Sequence, residues 1–309
     1  MLYNRVVTDI LVVGSINIDL VVRTPRLPAP GETIQGEDLA TFPGGKGANQ
    51  AVAAARQGTN VAMIGRVGKD LYGDKLIENL RNNKIDTSLV RRDEAATGTA
   101  LILVDAKGQN SIVLSPGANN KVVPEDVEAA PLAKPELVLL QLEIPLETVI
   151  HAGAVARELG AKVLLNPAPA RTLPDELLAN ADYVLPNETE LSLLSSEPVH
   201  DIKSAETAAR SLLGRGAQTI VVTLGANGSL IVTKDRATHV PAFEVQVVDT
   251  TAAGDAFIGG FASALLLGLS LEEAAQYGNA CGALATTRLG AQPSLPTREE
   301  VERFIAERG

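Results

Sequence analysis

Short apolar runs alternate along the chain with longer segments whose apolar residues recur at spacings of three and four. The short runs predict buried strands at Ile10–Val13, Val61–Ile64, Leu137–Leu140, Lys162–Leu165, Tyr183–Leu185, Thr219–Thr223 and Ser229–Thr233. The longer ones predict helices at Ala48–Gln57, Gly73–Asn83, Leu146–Leu159, Ser204–Leu213, Gly254–Leu267, Leu271–Thr287 and Arg298–Glu307. Parallel strands need crossover connections, so this alternation predicts an α/β fold with a mostly parallel central sheet covered by helices on both faces.

Two segments break the pattern. Val22–Phe42 is rich in Pro, Gly and Thr without a helical period, and Thr97–Ser115 reads as two strands around a turn at Lys107-Gly108. Together they predict a small antiparallel β-sheet beside the main body, a lid whose exposed edges would close over a ligand or pair with another copy. No internal repeat, low-complexity tract or long linker divides the 309 residues, so residues 1–309 are expected to form a single domain.

Composition narrows the function. Hydrophobic residues make up 45% and charged residues 21%, the balance of a chain that buries a core. A net charge of −10 supplies no general attraction for nucleic acid or an anionic membrane, so an anionic ligand would need a local device. The single cysteine, Cys281, cannot form an internal disulfide and reads as core packing. The start MLYNRVVTDILVVG lacks the order of a signal peptide, and no apolar run reaches the length of a membrane span. The expectation is a soluble cytoplasmic protein. The three histidines, His151, His200 and His239, are scattered, which argues against a histidine metal site or a Ser-His-Asp site.

In open parallel sheets, ligands sit beyond the carboxyl ends of the strands. The residues there are polar in one strand after another: Gly14, Ser15, Asn17 and Asp19, then Gln141 and Glu143, then Asn166-Pro167, then Asn187 and Glu190, then Thr223-Leu224-Gly225. Each taken alone is also what turns and helix caps use. Five in succession at one end of one sheet point to a site.

Two stretches are more specific. Phe42-Pro43-Gly44-Gly45-Lys46-Gly47-Ala48-Asn49 opens a helix with glycines that permit close backbone approach, and with donors on Lys46 and Asn49. It is not a Walker A loop, because Gly47 stands where that pattern has Ser or Thr. Asp249-Thr250-Thr251-Ala252-Ala253-Gly254-Asp255 runs small residues into a helix start. Free amides and the helix dipole there can hold a developing phosphoryl charge while Asp255 accepts a proton from an attacking hydroxyl. An acid favouring a helix N-terminus is the plainer alternative.

Taken together, GSINID at 14–19, FPGGKGANQ at 42–50, NPAPAR at 166–171, PNETE at 186–190, TLGANG at 223–228, DTTAAGD at 249–255 and GAQPS at 290–294 resemble the ribokinase (PfkB) family of carbohydrate kinases from end to end. The resemblance implies a Rossmann-like core with a β-lid that forms a homodimer contact, and transfer of the γ-phosphoryl of ATP to the 5-hydroxyl of D-ribose. It implies that Asn17, Asp19, Gly45, Lys46, Asn49 and Glu143 hold the sugar and that Asp255 is the general base. Ala252, Ala253 and Gly254 would form an anion hole, and Asn187 and Glu190 would organise Mg²⁺ and phosphates. Thr223, Gly225 and Gly228 would line the nucleotide, with Asn279 near the adenine.

A K⁺ site is implied as well, built from Asp249, Ser294 and carbonyls near Thr251, Ala285, Arg288 and Gly290. The competing readings are a kinase for another sugar, such as 2-deoxyribose or fructose, and a catalytically silent sugar-binding regulator. Neither nucleic acid nor membrane is expected as a partner.

Overall fold

The computed structural model describes residues 8–128 and 134–308. Thirteen strands are described: β1 (Ile10–Val13), β2 (Asn17–Arg23), β3 (Ala40–Gly44), β4 (Val61–Gly68), β5 (Val90–Asp93), β6 (Gly98–Val104), β7 (Asn110–Ser115), β8 (Leu137–Leu140), β9 (Lys162–Leu165), β10 (Tyr183–Val184), β11 (Thr219–Thr223), β12 (Ser229–Val232) and β13 (Ala237–Val240). The helices are α1 (Lys46–Arg56), α2 (Leu71–Asn82), α3 (Pro124–Glu128), α4 (Leu146–Glu158), α5 (Asp175–Asn180), α6 (Glu188–Ser195), α7 (Ile202–Gly214), α8 (Ala253–Leu266), α9 (Leu271–Thr286) and α10 (Arg298–Arg308).

Nine strands form the central sheet in the order β13-β12-β11-β10-β9-β8-β1-β4-β5, parallel except for the β11–β12–β13 edge. Both faces are buried, which is why the strand runs are continuously apolar rather than alternating. Along β1, Ile10 and Val12 join one core cluster and Leu11 and Val13 the other. The first cluster packs under α1, α2, α8, α9 and α10; the second lies under α3 to α7. From β1 the chain builds outward to β4 on one side and to β8 on the other, so the strand order reverses there and opens a crevice at the carboxyl ends.

The second sheet has the order β3-β2-β6-β7, antiparallel at its two outer pairings and parallel between β2 and β6. The expected lid ranges, 22–42 and 97–115, overlap it, but its first strand begins at Asn17 and residues 24–39 carry no strand. The reason is register. Asn17–Arg23 pairs residue for residue with Gly98–Val104, a long-range match that local composition does not reveal. Asn17 and Asp19 thereby sit on the second sheet itself. Among the described residues, no helix is long and apolar enough to cross a membrane.

Candidate active site

The site is built where α1 and α8 begin. Gly45 precedes α1 at φ 89°, and a side chain there would press on the Asn17 backbone nitrogen at 2.7 Å, so the FPGGKG turn requires glycine at this position. The Lys46 amide then donates to Glu143 Oε2 at 3.0 Å, and Ser15 Oγ donates to the same oxygen at 2.6 Å. Gly47 N donates in turn to Ser15 Oγ at 3.2 Å. The ends of β1 and β8 and the start of α1 are thus tied around one carboxylate.

Asp255 lies in the first turn of α8, behind Ala252, whose backbone is left-handed at φ 58° and ψ 11°. The residue is 7% exposed, and its carboxylate accepts one amide on each oxygen: Asn49 Nδ2 to Oδ2 and Gln50 Nε2 to Oδ1, both at 2.9 Å. It is therefore buried among polar partners, not against bare hydrocarbon. A cavity of about 210 Å³ opens beside it, lined by Lys46, Asn187, Glu190, Thr223, Gly254 and Asp255, with Asn166, Thr250 and Ala252 between them. Ala253, expected in the anion hole, has its amide turned to the Thr250 carbonyl at 3.2 Å.

Among the described residues, Lys46 is the only cation lining this cavity. Burial pushes its ammonium down, but Asp255, Glu143 and Glu190 outweigh that and hold it above the ordinary lysine range. Burial raises Asp255, opposed by Lys46 and by the amides of Asn49 and Gln50. A carboxylate lifted in this way is a stronger proton acceptor near neutral pH. Glu190 is raised by burial too, and Asp19 is pushed up to about 7 by burial and by the negative charges of Glu143 and Asp255. The arrangement can bind a hydroxylated ligand, hold phosphate charge on first-turn amides and Lys46, and take up a proton at Asp255.

Asn187 and Glu190 form a capping box on α6: Glu190 N donates to Asn187 Oδ1 at 2.8 Å, and Asn187 N donates to Glu190 Oε2 at 2.9 Å. Both still line the cavity. Thr223 does as well, whereas Gly225 and Gly228 form the turn between β11 and β12. Asn279 is buried on α9 and donates to the carbonyls of Val240 and Pro241 at 3.1 Å. Asn17 Oδ1 accepts from Asn119 Nδ2 at 2.6 Å.

The residues expected around a monovalent cation fall close together in part. Asp249 accepts from Thr251 Oγ1 at 2.6 Å and from Thr251 N and Gly290 N, both at 2.9 Å, and these bonds, the hydroxyl's foremost, outweigh burial to keep its carboxyl below the usual range. Ser294 Oγ donates to the Ala291 carbonyl at 2.8 Å, and Arg288 N donates to the Ala285 carbonyl at 3.3 Å. Among the described residues, no group of three or more His, Cys, Asp or Glu side chains could hold a metal.

Gln50, Asn119 and Gln292, whose Nε2 donates to Asn49 Oδ1 at 3.1 Å, carry much of this geometry without having stood out in the sequence. Gln50 closes the FPGGKGANQ string and Gln292 sits within GAQPS, so the only available signal was membership of those strings.

The profile of the pfkB family carbohydrate kinases matches residues 7–298. The chain is 44% identical to a ribokinase of Haemophilus influenzae, over 95% of this chain and 97% of that one. It is 42% identical to a deoxyribokinase of Salmonella typhi, over 96% and 99%. The structure of an Arabidopsis thaliana ribokinase complexed with ribose and ATP superposes with a TM-score of 0.89 at 34% identity, covering 97% of this chain and 99% of that one. With a buried carboxylate and helix-start amides flanking a cavity at the sheet's carboxyl end, and with these likenesses spanning nearly its whole length, the chain belongs to the pfkB family of carbohydrate kinases.

Proposed function

We propose that the protein phosphorylates D-ribose at its 5-hydroxyl, with ATP as donor. The observation that carries this reading is Asp255, held by two amides in the first turn of α8 beside Lys46. The sugar would be held by Asn17, Asp19, Gly45, Lys46, Asn49 and Glu143, a set rich in groups that fork across neighbouring hydroxyls. Asp255 takes the hydroxyl proton as the oxygen bonds to the γ-phosphorus and the bond to the ADP oxygen breaks. The amides of Ala252, Ala253 and Gly254 meet the charge on the moving phosphoryl group, the Ala253 amide after release from Thr250. Little covalent assistance is needed, because such a transition state is loose and positioning supplies most of the acceleration.

Thr223, Gly225 and Gly228 would border the nucleotide, with Asn279 behind it. Mg²⁺ would neutralise phosphate charge, and Asn187 and Glu190 fit a hydrated ion because Glu190 Oε1 lies outside the capping box. K⁺ fits an oxygen-only donor set at Asp249, Ser294 and the carbonyls near Thr251, Ala285, Arg288 and Gly290, where it would order the loop preceding α8. Exposed Leu101, Ile112, Val113 and Leu114 on the lid sheet support pairing of two copies through it. A cytoplasmic setting, a single domain over 1–309 and a lid that closes over the sugar complete the reading.

The identity to a deoxyribokinase favours a second reading, phosphorylation of 2-deoxyribose in the same site. ADP release measured over a panel of D-ribose, 2-deoxy-D-ribose and D-fructose separates them. The highest kcat/KM on ribose supports the first reading, and preference for either other sugar overturns it.

A further inference from the structure

We propose that Gln50 is a positioning residue for the phosphoryl transfer: its side-chain amide, locked from behind by Gln141 and Asn166, sets the rotation of the Asp255 carboxylate and so the lone pair turned toward the sugar hydroxyl. The proposal rests on Asp255 being the base.

The direction of every amide in this chain of bonds is forced. The Leu185 carbonyl can only accept, so Asn166 places Nδ2 there at 2.9 Å and turns Oδ1 to Gln50. Gln50 must then present Nε2, which donates to Asn166 Oδ1 at 3.1 Å and to Asp255 Oδ1 at 2.9 Å. Its Oε1 is left for Gln141, whose Nε2 donates at 2.6 Å. Both Gln50 and Gln141 are fully buried. Rotating the Gln50 amide would break three bonds inside the protein, where an unmade hydrogen bond is costly.

Both hydrogens of Gln50 Nε2 are spent, on Asn166 Oδ1 and Asp255 Oδ1, and its Oε1 accepts from Gln141, so it touches the base with no donor left for the sugar or the nucleotide. That separates it from Asn49, which donates to the other carboxylate oxygen and also belongs to the proposed sugar set. An amide is suited to this place because it donates to an ionised carboxylate without bringing a charge of its own. A donor to the ionised form also restrains the upward shift that burial imposes on Asp255.

The test is Gln50→Met, which keeps length and removes the donor, assayed by steady-state kinetics with sugar and ATP over a range of pH. The expected result is a fall in kcat of about 10- to 100-fold, as for a displaced catalytic group, with the sugar KM changed less than about threefold. The acid limb of kcat/KM should move to higher pH, because the ionised carboxylate has lost a donor. Gln141→Met, one bond further out, should act in the same direction and less strongly.

A folded Gln50→Met enzyme with wild-type kcat, or with an unmoved acid limb, overturns the proposal. If Gln50→Met does not fold, Gln141→Met decides by the same two readouts. Asp255→Asn is run beside them. Wild-type turnover in that variant overturns the base assignment itself, whereas an inactive Asp255→Asn with a normal Gln50→Met overturns only the role of the amide.

Discussion

Gly259 of α8 lies against Ala53 of α1 so closely that a β-carbon at 259 would stand 2.7 Å from the Ala54 backbone nitrogen and closer still to the Ala53 methyl. One turn earlier on the same two helices, Asp255 meets Asn49. The seam between the helices therefore sets the distance from the carboxylate to its amide donors.

Gly259→Ala is expected to push α8 off α1. Overpacking of this kind costs about 1–3 kcal/mol, and displacing Asp255 from Asn49 and Gln50 should lower kcat about tenfold or more. Chemical denaturation and an ADP-release assay measure the two effects. Full activity with unchanged stability would show that the seam tolerates the methyl and does not govern the site.

The Asp19 carboxyl, pushed up to about 7, carries a pH dependence of stability. Between its ordinary range and about 7 the folded protein keeps a proton that the unfolded chain has lost. Stability therefore falls as pH rises through that window, and the loss persists above it. Asp19→Asn removes the effect. The melting temperature of the variant minus that of the wild type should be larger at about pH 8 than at about pH 4. Thermal unfolding without sugar reads this directly, and an equal difference at both pH values would refute the shift.

Ala252 holds a left-handed backbone at φ 58° immediately before α8, a conformation that costs a residue with a β-carbon about 1–2 kcal/mol. Ala252→Gly relieves it but adds freedom to the unfolded chain, for a net gain of up to about 1 kcal/mol. Differential scanning calorimetry should show a higher Tm, while a looser turn at the helix-start amides should lower kcat modestly. A lower Tm would mean that the methyl makes contacts worth more than the strain.

The Asp249–Gly290 contact ties the segment before α8 to the loop carrying Ser294. If a monovalent cation orders this junction, turnover in strictly K⁺-free Tris buffer should fall well below that in K⁺, and Rb⁺ or Cs⁺ should restore it in part. Asp249→Asn should abolish the dependence. Identical rates with and without K⁺ would remove the cation from the mechanism.

The amino-acid order by itself determined most strands and helices of the core, though not β5, β13, α3, α5 or α6, whose runs are too short to show a period, and the end of the sheet at which chemistry would sit. Apolar period is a local property: β1, β8, β9 and β11 lie where the runs Ile10–Val13, Leu137–Leu140, Lys162–Leu165 and Thr219–Thr223 put them. Helix starts were less legible, as α1 begins at Lys46 rather than Ala48, because Lys and Gly give no apolar signal at a turn that Gly45 makes possible. Lys46, Asn49, Asn187, Glu190 and Asp255 stood out because they fall in motifs. Tertiary structure alone decided how they are held. Gln50 and Asp255 are 205 residues apart in sequence, and their bond exists only because Gly259 lets α8 lie on α1. A side-chain amide in a helix looks the same in sequence whether it faces solvent or a carboxylate, since what separates the two is which remote helix packs against it.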